Sequence, residues 1–330
     1  MNKSRNLNFA NFICHFGDKH EMLDLAEEII IPAFMSPLKR KFSDTMYFFH
    51  DVALLDLGSA AEPVAALAGR LVKDTQIQRE QILRDGALVY DKRSLESAPS
   101  ALFILVLNDH KLVYMPETKG APSIEAFRAT AQKFASEKHK AFADNLYQEA
   151  KQDDSRVTRK AILEKYPMPT IEVIPLSSEA SLDNFIDQFE VLSEIRVRLI
   201  DPNGELDNDE LFDDLQQSKD LLGAKTTEVV HRNPKGMSKK NAVSQLTAAV
   251  QRGNTEVTIS GKDARGDKLS GNNELFKLSV SVKELPSTIM GAAEKLYESF
   301  KSVVSDGILA VGKPSKDPAT KIAKLLQQRP

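Results

Sequence analysis

Positive charge in the second half of the chain is the strongest chemical signal in the sequence. Between Lys225 and Lys268 stand nine basic residues (Lys225, Arg232, Lys235, Lys239, Lys240, Arg252, Lys262, Arg265, Lys268) against Glu228, Glu256, Asp263 and Asp267. Contact with phosphate needs cationic side chains and free backbone N–H groups near a helix start. The run Asn233-Pro234-Lys235-Gly236-Met237-Ser238-Lys239-Lys240 supplies both, and the loop at Lys262 adds to it. Just upstream, Asp201, Glu205, Asp207, Asp209, Glu210, Asp213, Asp214 and Asp220 stand against Lys219 alone. The same letters also describe a solvated face offset by its own acidic helix. The phosphate reading places a nucleic-acid contact at Arg232, Lys235, Lys239, Lys240, Arg252, Lys262, Arg265 and Lys268. Arg70, Lys73 and Arg79 extend it if 69–79 is a strand, because Lys73 and Arg79 then share a face.

Other groupings carry less chemistry. Asp109-His110-Lys111 has the acid-x-Lys form of many metal-dependent nucleases, but it falls where a hairpin turn is expected and has no matching acid. Asp201, Asn203 and Glu205 fit the first slots of a calcium loop. Leu206 and Phe212 then stand where such a loop needs Gly and a bidentate Glu. The histidines at 15, 20, 50, 110, 139 and 231 form no His-x-x-x-His pair. No GxGxxG, P-loop or GxSxG motif occurs, and Gly261 to Asp267 lacks the Lys-Ser/Thr of a P-loop. No nucleophile–base pair emerges, so the reading leans away from an enzyme and calls for no cofactor or metal.

Composition sets the outer bounds. Of 330 residues, 42% are hydrophobic and 28% charged, which suits a globular chain of about two domains. Lys plus Arg number 44 and Asp plus Glu 47, for a formal charge of -3, so any polyanion contact must be a local patch. Cys14 is the single cysteine, which excludes an intrachain disulfide. The first residues lack the unbroken apolar run of a secretory leader. The longest such run, Ala101–Leu107, is far below the ~20 residues of a membrane-spanning helix. A soluble, cytoplasmic protein is expected.

The elements that must position the charges follow from periodicity. Alternation predicts a strand over 7–16, and Met22, Leu25, Ala26, Ile29 and Ile30 predict a helix over 19–30 that Pro32 stops. A strand follows at 45–57. The stretch 62–83 suits either helix or strand, with a strand favoured after Gly69. Ala101–Leu107, Asn108-Asp109 and Leu112-Val113-Tyr114 read as a β-hairpin. Ser123 caps a helix bearing Ile124, Phe127, Ala131 and Phe134, and a charged helical stretch runs over 136–166. Beyond Pro167 and Pro169 come a strand at 171–174, a short helix capped by Ser181 and a strand at 195–200. Next are a turn at Asp201–Gly204, an acidic helix from Asp207 to Leu222, and a helix over 238–251. A strand at 257–259, a loop over 261–271 and a strand over 275–282 complete the unit. Ile289 to Val304 and Ile322 to Leu326 form apolar helical stripes that must cover the body or a second copy. The fold class is α+β. An N-terminal mixed α/β body with an antiparallel hairpin occupies 1–166, a smaller α/β domain with the basic segment 167–285, and a helical tail 286–330.

Two segments carry a resemblance. Ala101-Leu102-Phe103-Ile104-Leu105-Val106-Leu107 through Leu112-Val113-Tyr114 and Lys119-Gly120-Ala121-Pro122-Ser123-Ile124 is one. Gly253-Asn254 through Val257, Ile259, Lys262-Asp263 and Gly266-Asp267 is the other. In element order over about 65–283 the chain resembles the RexA-like phage-exclusion family and related bacterial defence-associated families. The resemblance implies a two-domain homodimer that binds DNA without strong sequence preference. It departs at 201–220 and in the tail, so no DNA-contacting residue carries over. The alternatives are a protein–protein module regulating a neighbouring effector or membrane protein, with Leu296, Phe300 and Val303 as its surface, and a metal-dependent nuclease.

Overall fold

The computed structural model of the chain describes residues 4–59, 61–201, 213–311 and 316–327. β1 (Arg5–Phe16) alternates as expected: Ala10, Phe12, Cys14 and Phe16 enter one core, Leu7 and Phe9 the opposite one. β2 (His20–Glu21) turns back along its end. The helix expected over 19–30 is a 3₁₀ turn (Met22–Leu25) and a π turn (Ala26–Ile30) leading into α1 (Ile31–Met35). Pro32 opens α1 rather than stopping a helix, because a first-turn proline forfeits no intrahelical hydrogen bond.

β3 (Arg40–Phe42) and β4 (Thr45–Asp56) pair as a hairpin. The ambiguous stretch resolves into a single twenty-residue strand, β5 (Ala65–Arg84). Its first half pairs with β4, and its second half runs out of the sheet against β6 (Ala87–Ser97), which the sequence reading did not anticipate. The expected hairpin is β7 (Ser100–Val106) and β8 (Lys111–Pro116). Ser123 caps α2 (Ile124–Asp153), accepting a hydrogen bond from the Ala126 amide, and α3 (Arg159–Lys165) follows. Then come β9 (Pro169–Pro175), α4 (Glu179–Ile186) and β10 (Val191–Leu199). The cap of α4 is Ser178, not Ser181, whose own amide donates to the Ser178 hydroxyl.

The turn expected at Asp201–Gly204 and the helix start expected at Asp207 fall on residues 202–212, outside the described residues. The described acidic helix is α5 (Asp213–Leu222), closed by Gly223 in the left-handed region. β11 (Thr227–Arg232) was not anticipated. α6 (Lys239–Arg252) is the expected helix, capped by Ser238. The loop expected over 261–271 is mostly a hairpin of β12 (Thr255–Lys262) and β13 (Lys268–Asn272). β14 (Ser279–Val282) begins later than expected, and α7 (Ile289–Ser305) and α8 (Lys316–Gln327) form the tail.

The α+β architecture has one large antiparallel sheet ordered β14-β1-β8-β7-β5-β4-β3, with β2 and β9 also on β1, and a smaller sheet ordered β11-β10-β12-β13. α1, α2 and α8 cover one face of the large sheet through Phe34, Phe127, Phe134 and Ile322. α7 covers the other through Leu296, Phe300 and Val303, so the tail stripe is buried on its own body. Among the described residues no helix is long and apolar enough to cross a membrane.

β9 and β14 lie end to end along one edge of β1: β14 pairs with Arg5–Asn8 and β9 with Ala10–Phe16. Pro167 and Pro169 therefore mark entry into a strand of the body. The smaller sheet is an insertion, residues 176–278, between β9 and β14. Both of its connections leave opposite Phe9. The Leu176 amide donates to the Phe9 carbonyl, and the Leu278 amide to the Leu176 carbonyl, each at 2.8 Å.

Three alternate residues of β1 fasten the insertion. Asn11 donates to the Asn254 side chain (2.9 Å) and the Gly253 carbonyl (3.3 Å). Ile13 packs with Ile174 and Ile200, and the His15 ring meets the Asp201 carbonyl at 3.1 Å. Gly253 is needed at this joint: its φ is +73°, and a Cβ there would stand 2.5 Å from Leu176 and 2.8 Å from Asn11. Lys111, almost wholly buried, donates to the Asn11 side-chain oxygen, Oδ1, at 2.8 Å. Burial pushes the Lys111 amine down to about 8, against the attraction of Asp109.

A folded value below the unfolded one means the unfolded chain holds more protons above pH 8, so this group adds stability as pH rises through that window. The wild type should therefore gain roughly 2 kcal/mol relative to Lys111→Met between pH 8 and 9.5, read from urea unfolding. A pH-independent difference between the two would show that the amine is hydrated.

Candidate nucleic-acid interface

The small sheet buries one face under α4 and α6, through Phe185, Ile195, Val197, Leu246, Val257 and Ile259. Strand alternation turns the intervening residues to the open face. There β10 presents Glu194, Arg196 and Arg198, opposite Arg232, Val230 and Glu228 of β11 and Ser260, Thr258 and Glu256 of β12. The charges interlock. Arg232 meets Glu194 at 2.8 Å, Arg196 meets Glu194 at 3.0 Å and Glu228 at 2.8 Å, and Arg198 meets Glu256 at 2.7 Å. Hydrogen bonds from Arg232 and then Arg196 hold the Glu194 carboxyl below its ordinary value. Each arginine on this face has a carboxylate partner. The sequence shows Arg196 and Arg198 alternating in the strand, but their neutralisation depends on a register it does not reveal.

Seven of the eight predicted residues converge at one end of this sheet, where β11 and β12 end and β10, β13 and α6 begin. Lys262 pairs in register with Lys268 on one side and Val191 on the other. The turn after Arg232 folds back over the start of β10: the Asn233 amide donates to the Ser193 carbonyl, and the Met237 amide to the Leu192 carbonyl. This fold-back carries Lys235, Lys239 and Lys240 to the same end, and Lys239 donates to the Asp187 carbonyl at 3.2 Å. The exception is Arg252. It ends α6, a fourteen-residue helix about 20 Å long, at the opposite end beside the joint to the body. Helix length alone separates it from Lys239, and that signal was present in the sequence.

The seven differ in how much charge they offer. Arg232 is held by Glu194. Arg265 is held by Asp263 at 3.4 Å and Asp267 at 3.8 Å within the β12–β13 turn. The backbone amide of Asp267, with those of Arg265 and its guanidinium, keeps the Asp263 carboxyl low and the turn closed. Lys235, Lys239, Lys240, Lys262 and Lys268 enter no ion pair among the described residues. Lys219 of α5 is paired with Asp201, at the far end of β10.

Lys239 and Lys240 occupy the first turn of α6, which holds no acidic residue. Helix dipoles favour carboxylates there and disfavour lysines by about 0.3–1 kcal/mol each. The arrangement costs helix stability and concentrates positive potential where the first amides of α6 are unpaired within the helix.

The remaining sequence candidates do not assemble with this end. Arg70 is paired with Glu117 at 3.0 Å and approaches Asp51 at 3.9 Å, and Arg79 is paired with Asp91. In Asp109-His110-Lys111 the lysine amine is taken up by Asn11. Among the described residues no three His, Cys, Asp or Glu side chains gather as metal ligands, and the calcium-like segment lies mostly outside those residues. No protein-family model matches the chain, and no curated protein matches it.

Glu194→Gln removes the carboxylate that Arg196 and Arg232 share on the open face of the small sheet. It should raise affinity for a polyanion, read as later elution from heparin at fixed pH. Stability should change by less than about 1 kcal/mol, because the pairs are solvent-exposed. Unchanged elution would mean that the ladder does not limit the charge of this surface.

Proposed function

We propose that the chain binds DNA without sequence preference through the lysine-bearing end of its inserted sheet, as a non-catalytic protein. The observation that carries the reading is the placement of Lys239 and Lys240, in no ion pair among the described residues, at the start of α6, with Lys235, Lys262 and Lys268 beside them. Lysines at a helix start oppose helix stability, and a bound phosphate removes the conflict by meeting both the side chains and the amide dipoles. The contacts this end offers are cationic side chains and backbone amides, which address the phosphate backbone rather than base edges. Lysine also fits phosphate as a point charge and fixes no bidentate geometry. The resemblance to RexA-like proteins adds a role in bacterial anti-phage defence and a two-copy assembly. Two copies would double the number of phosphates engaged.

The counterion rule bounds the salt response. At about −0.9 per phosphate neutralised, five lysines give a slope of log K against log salt no steeper than about −4.5 per copy. Lys239→Glu/Lys240→Glu should lose at least tenfold in duplex-DNA affinity at low salt by fluorescence anisotropy. Without DNA, the same variant should melt at a higher temperature than the wild type, because its charges now suit the helix dipole. Lys262→Glu/Lys268→Glu should lose comparable affinity with no gain in melting temperature. Undiminished affinity in both variants would refute the assignment. A magnesium- or manganese-dependent loss of intact DNA in the same samples would move the reading to a nuclease.

A further inference from the structure

Beyond its pairing with β4, the outer half of β5 forms with β6 a two-stranded ribbon whose remaining backbone edges meet no other strand among the described residues. The register sorts its side chains. One face carries the opposed pairs Ile77–Leu95, Arg79–Arg93, Gln81–Tyr90 and Leu83–Leu88. The other carries Gln76–Glu96, Gln78–Ser94, Ile82–Val89 and Arg84–Ala87. The first face is the apolar one, and it is uncovered: Ile77 is 54% exposed, Leu83 72%, Leu88 73%, Tyr90 69% and Leu95 60%. An isolated two-stranded ribbon is at best marginally stable in water, so a cover over its apolar face stabilises it. The ribbon is a poor match for DNA. Arg79, Arg84, Lys92 and Arg93 are offset by Glu80, Asp85, Asp91 and Glu96, and Asp91 binds both Arg79 and Arg93.

We infer that the cover is the same face of a second copy, packed about a two-fold axis that lies between the ribbons and across their strands. An interface of this kind must be self-complementary. That axis inverts the order of the pairs and lays β5 on β5. Ile77–Leu95 of one copy then meets Leu83–Leu88 of the other, and Arg79–Arg93 meets Gln81–Tyr90. Arg93 comes to lie over a tyrosine ring and Arg79 over an amide, both favourable. The alternative axis, along the strands, stacks arginine pairs on each other and is disfavoured. Ten residues of ribbon, about 3.4 Å each and two strands wide, give a footprint of about 300 Å² per copy. The sum falls well below the ~1,200 Å² of a stable interface, so the association is reversible and concentration-dependent.

The inference deepens the two-copy part of the proposed function and stands apart from the lysine contact, so it is tested without DNA. Sedimentation velocity of the full chain over a concentration series should show a monomer–dimer equilibrium. Leu83→Glu/Leu88→Glu should stay monomeric throughout, with unchanged far-ultraviolet circular dichroism. Should that variant unfold, the ribbon can be shortened instead, joining Gln76 to Glu96 by Asn-Gly, the two-residue turn for a paired position. This chain should also be monomeric. Alignment is read by mixing Ile77→Cys chains with Leu83→Cys chains and adding a short bis-maleimide, because facing sheets stand about 10 Å apart, beyond the reach of a disulfide. The mixture should cross-link and neither chain alone should. A wild type monomeric at every concentration, a dimer that survives loss of the ribbon, or cross-linking of Ile77→Cys to itself would each overturn the inference. Loss of the dimer with DNA affinity per site retained would leave the lysine contact standing, whereas the reverse would sink only that contact.

Discussion

The structure depends on one strand doing the work of two. β1 is buried along almost its whole length, with side chains in the cores on both faces of the large sheet. One of its edges is shared by β9 and β14, and the other by β8 and, at its end, β2. Phe12 and Phe16 face α2 and its neighbours; Leu7 and Phe9 face α7; Asn11, Ile13 and His15 face the insertion. A one-residue slip would exchange these sets and put Asn11 and His15 into the apolar layer. Register in β1 thus fixes the body and the seat of the small sheet at the same time.

Polar groups help to fix that seat beside the Ile13, Ile174 and Ile200 cluster. Lys111, Asn11 and Asn254 form a hydrogen-bonded line from β8 through β1 to the α6–β12 turn, where Gly253 permits close approach. A buried line of this kind carries desolvation costs that only satisfied geometry offsets. His15 contributes with the opposite pH sense to Lys111. Burial works against its charged ring, but Glu21 at 3.1 Å and the Asp201 carbonyl outweigh that and raise it. Its share is complete at acid pH and fades as pH rises through its raised value.

What could be read beforehand was what repeats locally. The alternation of β1, the β7–β8 hairpin with its Asn-Asp turn, and the Ser123 cap all rest on contacts between near neighbours. β6 escaped because its apolar period breaks: the register slips between Arg79 and Gln81, and Leu95 and Tyr90, five apart, end on one face. β11 escaped because it is exposed and carries only Val229 and Val230 as apolar residues. The place of β9 and β14 on β1 depends on pairings more than 150 residues apart, which no window contains. For the charged end, residue types were legible and neutralisation was not. The charges of Arg232 and Arg265 are offset by carboxylates that the register or a tight turn brings near.

Leu176 and Leu278 are joined by a backbone hydrogen bond while a hundred residues of chain run out and back between them. A segment whose entrance and exit coincide can be gained or lost by a genome in one recombination event without re-threading what surrounds it. The large sheet pairs β9 and β14 on β1 without using a strand of the insertion. In that light the lysine-bearing end belongs wholly to the inserted unit, and the doorway opposite Phe9 is, among the described residues, the one place where it joins the body's backbone ladder.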